Sequence, residues 1–284
     1  MRSEISKMIR MVALAILAFW IFLPVYAAGD IDWHSDIEKA YQAAKTGDKI
    51  IMVDVYTDWC TWCDKLDEEV YTDSHVIELA GEIISLKVDA EDGAQGQSFA
   101  QRYGVDSFPT IIFLRADGRE IDRIGGFLPA HHFLEEMRRI KEGRDTFLSL
   151  QEAEEAGSIE AINRLVLAEH YLMRSRVQEA ESPVARFLES YGGQADDNTD
   201  RAYTILAQVK LSGFEFEQAE QYLLKLHKER PESALMPRVL LMLVYSRAMQ
   251  NDKAGAKTYA DELKRRFSGE SQAIAMVDRI MAQM

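Results

Sequence analysis

Two cysteines, six prolines and no apolar run of membrane-spanning length set the first limits on this 284-residue chain. Two cysteines are too few for a disulfide-stapled scaffold, and a core of this size does not need one. The longest apolar stretch, MVALAILAFWIFL, stops after 13 residues, short of the roughly 20 that a membrane-crossing helix takes. Basic residues are also in deficit. With 33 Lys and Arg against 47 Asp and Glu, the formal net charge is −14, which excludes the basic face that a nucleic-acid partner requires.

The short apolar run has a different reading. Arg2, Lys7 and Arg10 precede it, Pro24 ends it, and Val25 and Ala27 are placed for cleavage after Ala27. Basic segment, apolar segment and small-residue site together predict a signal peptide over residues 1–27 and an exported, periplasmic protein, with an uncleaved membrane anchor as the alternative. The length accommodates about two domains. Residues 28–150 hold 25 acids and 13 bases, whereas residues 151–284 hold 21 and 17. That shift in composition places a boundary near residue 150, between a domain at 28–145 and another at 151–284.

Both cysteines fall in VDVYTDWCTWCDKLDEEV, residues 53–70, as Cys60 and Cys63. A disulfide across so short a loop constrains little of the unfolded chain, so a purely structural staple is a poor explanation. A zinc site needs about four ligands, and the six histidines show no ligand spacing near the pair, although two thiolates alone suffice for copper(I). A redox pair is the third reading. KIIMVDVY predicts a buried strand before the cysteines, and Leu66 and Val70 mark a helix after them. A cysteine at a helix start meets unpaired N–H groups and the positive dipole end, which favour its thiolate.

The remaining elements of the first domain follow from periodicity. Residues 33–46 have helical spacing with Gly47 as a stop, and ISLKVD at 84–89 is a strand. The Gly-rich EDGAQGQ leads into a short helix, SFAQRYG. FPTIIFLR at 108–115 opens a strand behind Pro109, ADG turns the chain into REIDRIGG, and Pro129 opens a helix to about Ile140. The order α, β, α, β, α, β, β, α predicts a mixed sheet covered by helices. That order, with Trp59-Cys60-Thr61-Trp62-Cys63 at the first strand-to-helix junction and Phe108-Pro109-Thr110 before the hairpin, resembles the thioredoxin family over about residues 33–142. The acid-rich helix after the cysteines is most similar to the periplasmic C-terminal domain of the membrane thiol:disulfide interchange reductase.

The resemblance implies an α/β thioredoxin fold and thiol:disulfide exchange. It implies Cys60 as attacking thiol, Cys63 as resolving thiol and Asp54 as a buried carboxylate that accepts the Cys63 proton. Pro109 in cis would set the Phe108 backbone beside the pair to bind an extended substrate, with Trp59 and Trp62 as an apolar rim. Asp67 matches an acid of the interchange reductase's domain and either tunes the cysteine pKa by repulsion or is plain helix surface, while Glu68, Glu69 and Asp73 are expected on a solvated face. No dissociable cofactor is implied beyond the Cys60–Cys63 disulfide. Substrates would be protein or peptide disulfides, and a membrane dithiol protein would donate the electrons. Thr61-Trp62 departs from the Gly-Pro that thioredoxin carries between its cysteines. Carboxylates near the pair oppose the thiolate and tilt the expectation toward a reductase.

From residue 151 onward only helical periodicity remains. Ala168, Ala207 and Val244 are equivalent under self-alignment, as are Ala180, Ala219 and Ala256 twelve residues later, at repeat lengths of 39 and 37. The pattern resembles tetratricopeptide repeats, although those usually run to about 34 residues. Stacked repeats would form a concave surface for a protein partner. The competing readings for the whole chain are a repeat-based adaptor with an inert docking domain, and copper(I) delivery.

Overall fold

The computed structural model describes residues 29–191 and 194–284; the segment expected as a signal peptide lies outside them. A five-stranded sheet is built from β1 (Trp33–His34), β2 (Ile51–Tyr56), β3 (Ile84–Asp89), β4 (Thr110–Leu114) and β5 (Glu120–Gly125). Their spatial order is β1-β3-β2-β4-β5. β3 runs parallel to β1 and to β2, whereas β2–β4 and β4–β5 are antiparallel. This is the mixed sheet that the element order predicts.

Strand alternation decides what lies on each face. From β2, Ile51, Val53 and Val55 face α1 (Ile37–Gly47) and α4 (Gly93–Arg102), joined by Ile112 and Leu114 of β4 and by Ala40, Ala44 and Phe99 of the helices. Met52 faces the other way, with Ile111 and Phe113, against α2 (Thr61–Glu69), α3 (Ser74–Ala80) and α5 (Ala130–Lys141). Asp54 shares the parity of Met52. Asp54 is thus the one carboxylate that β2 sends into the face that α2 covers.

Several boundaries differ from the periodicity. Trp33 and His34 belong to a short strand rather than to α1, because they pair with Ser85 and Leu86 of β3. α1 starts after Asp36, whose carboxylate accepts from the Lys39 N–H, and it ends at Asp48, in the left-handed region with φ 49°, one residue beyond the expected glycine stop. α3 was not anticipated; Asp73, expected as solvated surface, caps it by accepting from the His75 and Val76 N–H groups. α4 begins inside the Gly-rich run. At Gly96 a Cβ would stand 1.9 Å from the Asp89 carbonyl oxygen, so only glycine lets this helix cross the end of β3.

Eight further helices follow: α6 (Phe147–Glu155), α7 (Ala161–Leu172), α8 (Glu181–Tyr191), α9 (Asp197–Ser212), α10 (Phe216–Glu229), α11 (Met236–Met249), α12 (Lys253–Arg266) and α13 (Ser271–Ala282). α7 packs on α8, α9 on α10 and α11 on α12. The small residues aligned from sequence, Ala168, Ala180, Ala207, Ala219, Val244 and Ala256, are all fully buried. No strand occurs beyond β5 among the described residues, and no helix there is long and apolar enough to cross a membrane.

α6 packs against β5 and α7, and so joins the sheet to the helices. At that junction Asp122 of β5 is buried and accepts from Arg174 at 2.9 Å and Arg139 at 2.8 Å. Arg174 also donates to the His170 carbonyl and stacks 3.9 Å over the Phe147 ring. Burial alone would raise the Asp122 carboxyl, but His170, Arg139 and Arg174 outweigh it and hold it below its ordinary range. Gly104, with φ 60°, lets the backbone pass the Arg174 carbonyl, which a Cβ would meet at 2.7 Å. Removing one partner of a buried ion pair is expected to cost about 3 kcal/mol. Arg174→Leu should lower the urea midpoint accordingly, and Asp122→Asn in the same chain should recover part of the loss.

Candidate active site at the start of α2

β2 delivers the chain to the top of the sheet, and a turn brings it into α2. The Cys60 N–H donates to the Thr57 carbonyl at 3.1 Å. Cys60 is the N-cap of α2, and its Sγ accepts from the Cys63 N–H at 3.2 Å. A sulfur at this position takes the place of the oxygen that usually satisfies a helix's first N–H groups. Cys60 and Cys63 are joined by a disulfide with a Cα–Cα separation of 5.3 Å. Each residue is only 5% exposed.

Two exposed indoles border the disulfide. Trp59 is 67% exposed and Trp62 55%. Trp59 meets Phe108 edge-on at 5.9 Å, which sets Phe108 against the residue preceding Cys60. The Phe108–Pro109 peptide is cis, and the Pro109 carbonyl accepts from the Gly126 N–H at 2.8 Å. Trp62 lies 5.6 Å from Phe127, and the Lys65 ammonium sits over both rings. Glu91, which the sequence pattern did not single out, takes the Trp59 Nε1–H on both carboxylate oxygens at 3.1 Å. The indole is thus held from its edge while its face stays open to solvent.

Asp54, on β2, is 1% exposed. Burial pushes its carboxyl up to about 6, against the pull of Lys87, whose Nζ is 3.6 Å from Oδ2; the charge on Asp67 adds to the rise. Asp67, for which tuning of the cysteines and plain helix surface were both open, binds the Lys87 ammonium at 2.7 Å. Lys87 therefore bridges the buried and the half-exposed carboxylate. The rings of Trp33, Tyr56 and Tyr71 surround the same ammonium at 5.3, 5.4 and 5.6 Å, an arrangement that favours a fixed cation. One signal for Lys87 was present in the sequence: it is the one basic residue of the ISLKVD strand, flanked by Leu86 and Val88. Glu68 and Glu69 are exposed, as expected.

The fold, the disulfide at a helix start and the buried acid beneath it frame the comparison with known proteins. Residues 37–141 match a family model described as a thioredoxin-like domain. This segment is a thioredoxin-like domain. It is homologous to thiol:disulfide interchange proteins. The DsbD protein of Pseudoalteromonas atlantica is 30% identical over 108 residues, 37% of this chain and 18% of the relative. The DsbD protein of Actinobacillus pleuropneumoniae is 35% identical over 89 residues, 30% of this chain and 15% of the relative. The chain thus spans less than a fifth of these relatives' length. Among solved structures, DsbH oxidoreductase is similar at 22% identity and a TM-score of 0.40, covering 43% of this chain and 92% of that one. The oxidised C-terminal domain of Neisseria meningitidis DsbD is similar at 23% identity and a TM-score of 0.33, with coverage of 38% and 97%.

The raised Asp54 pKa has a consequence for stability. A carboxyl at about 6 in the folded thioredoxin-like domain, against 3.8 unfolded, binds its proton more tightly when folded. Its contribution is fully present below pH 3.8 and is lost as pH rises through about 6. At neutral pH the ionised group costs about 3 kcal/mol. Asp54→Asn is therefore expected to be the more stable protein at pH 7–8 by up to that amount, with the difference fading toward pH 4. Urea unfolding across this range measures it, and a pH-independent difference would contradict the assignment.

Proposed function

We propose that this protein is an exported thiol:disulfide oxidoreductase that works as a protein-disulfide reductase through the Cys60 and Cys63 pair. The observation that carries the reading is the disulfide at the start of α2, six residues after a buried β2 carboxylate, Asp54, whose burial pushes its pKa up to about 6. In the dithiol form, the Cys60 thiolate attacks a substrate disulfide and releases one substrate thiolate, leaving a mixed disulfide. Cys63 then gives its proton to Asp54 and attacks the Cys60 sulfur. The second substrate sulfur leaves, and the Cys60–Cys63 disulfide forms. Two electrons have passed to the substrate, and Asp54 has acted as general base at a pKa suited to that task.

Trp59, Trp62 and the Phe108-Pro109 segment line the approach to the sulfurs, where a flexible or extended protein segment would lie. The reaction consumes a dithiol, so the cycle needs a donor of the same chemistry. Likeness to interchange proteins supports a membrane dithiol protein in that role, and the basic-then-apolar N-terminus supports export. The helical hairpins supply a partner surface: a cleft of about 320 Å³ between α9 and α11 is lined by Leu211, Arg238, Leu241, Met242 and Tyr245.

Cys63→Ser removes the resolving thiol and leaves the attacking one. It is expected to accumulate mixed disulfides through Cys60, visible as thiol-labile adducts on non-reducing gels, and to lose catalytic insulin reduction by at least about a hundredfold. A Cys63→Ser protein that traps no disulfide-bearing polypeptide would remove the catalytic reading.

A further inference from the structure

Two of the buried polar atoms without hydrogen-bond partners are Asp54 Oδ1 and the Tyr71 hydroxyl. Buried polar groups are nearly always paired, because an unpaired one forfeits its hydration without return. Both lie around the same ammonium. Lys87 Nζ is 3.6 Å from Asp54 Oδ2 and 5.6 Å from the Tyr71 ring centre. Lys87 serves Oδ2 and leaves Oδ1 to another donor.

Tyr71 is fixed from several sides. Its N–H donates to the Leu66 carbonyl at 2.9 Å, directly behind α2. Its ring meets Trp33 at 5.0 Å and Phe133 at 5.7 Å, both edge-on. Phenylalanine would fill this packing equally well, so the hydroxyl has no packing role. Burial, first, and the Asp54 charge push the phenol well above its ordinary pKa. It therefore keeps its proton and remains a donor throughout the working range.

We propose that Tyr71 is a positioning residue for Asp54: its hydroxyl donates to Oδ1 while the carboxylate is ionised and lets go once Asp54 takes the Cys63 proton. This rests on the reductase reading. In the resolving step the Cys63 S–H proton passes to Asp54, the sulfur's electron pair forms the bond to Cys60, and the substrate sulfur leaves with the electrons of the broken bond. The phenol steadies the charge that Asp54 must carry before that step. The other groups facing Asp54 are Lys87 from β3 and Asp67 from α2; its β4 neighbour, Ile111, is apolar.

The test is a ¹³C-carboxyl titration of Asp54 in the full chain and in Tyr71→Phe. A donor to the ionised form lowers a carboxyl pKa, so its loss is expected to raise the midpoint by about one unit. The acid limb of the pH–rate profile for disulfide reduction should rise by the same amount, and in an Asp54→Asn background Tyr71→Phe should leave the profile unchanged. An unshifted midpoint in folded Tyr71→Phe overturns the proposal. If that variant does not fold, the wild-type Tyr71 ¹³Cζ resonance decides: a shift following the Asp54 midpoint supports the pairing, and a flat line overturns it. The titration needs no substrate. A wild-type protein that reduces no disulfide while showing the shift would sink the reductase reading and leave the pairing intact.

Discussion

Everything around the cysteine pair depends on one buried carboxylate. Asp54 sits on a strand whose other inward residues are apolar, under the first turn of α2 and away from water. Such a charge is tolerated only with a nearby cation, and Lys87 comes from the adjacent parallel strand in direct register, Asp54 opposite Lys87. Register thus does electrostatic work. A one-residue slip of β2 against β3 would turn Asp54 to the opposite face, away from Lys87, and leave its charge among the residues that pack on α1 and α4.

The aromatic residues follow from the same constraint. An ammonium drawn into the protein needs low-cost surroundings, and Trp33, Tyr56 and Tyr71 provide ring faces while Asp67 provides the counter-charge at the surface. This explains why the two-residue strand β1 exists. Trp33 pairs with Ser85 two residues before Lys87, so the short strand brings its indole over the ammonium. A helical Trp33, as periodicity suggested, would not be held against that strand.

What could be read in the sequence was local or periodic. The apolar strands, the Cys-x-x-Cys spacing at a strand-to-helix junction, the proline ahead of the hairpin and the recurring small residues are patterns within a few residues or at constant intervals. Glu91 and Tyr71 were not legible, and Lys87 only as a charge between apolar strand residues, because each matters through a partner 16 to 33 residues away whose proximity only strand register and helix packing create. Asp67 was found for its helical position, but its side chain answers to the cation across the sheet. The start of α4 was hidden by glycines, which weaken helix propensity yet are required at Gly96 by the close passage over Asp89.

The far edge of the sheet solves a different problem with similar means. β5 is an edge strand, and exposed edges invite pairing with other chains. Here α6 lies against it, and its inward Asp122 is taken up by Arg139 from α5 and Arg174 from beyond α7. One carboxylate thus draws cations from both halves of the chain. A buried ion pair adds little net stability compared with an apolar contact of the same size, but it penalises any arrangement that separates its members. The Asp122 junction therefore acts mainly on orientation: it holds the helical hairpins in a defined relation to β5, at the opposite side of β4 from the strand that carries Asp54. A partner held on those hairpins would consequently meet the indole rim from a constant direction, which a flexible tether between the halves would not provide.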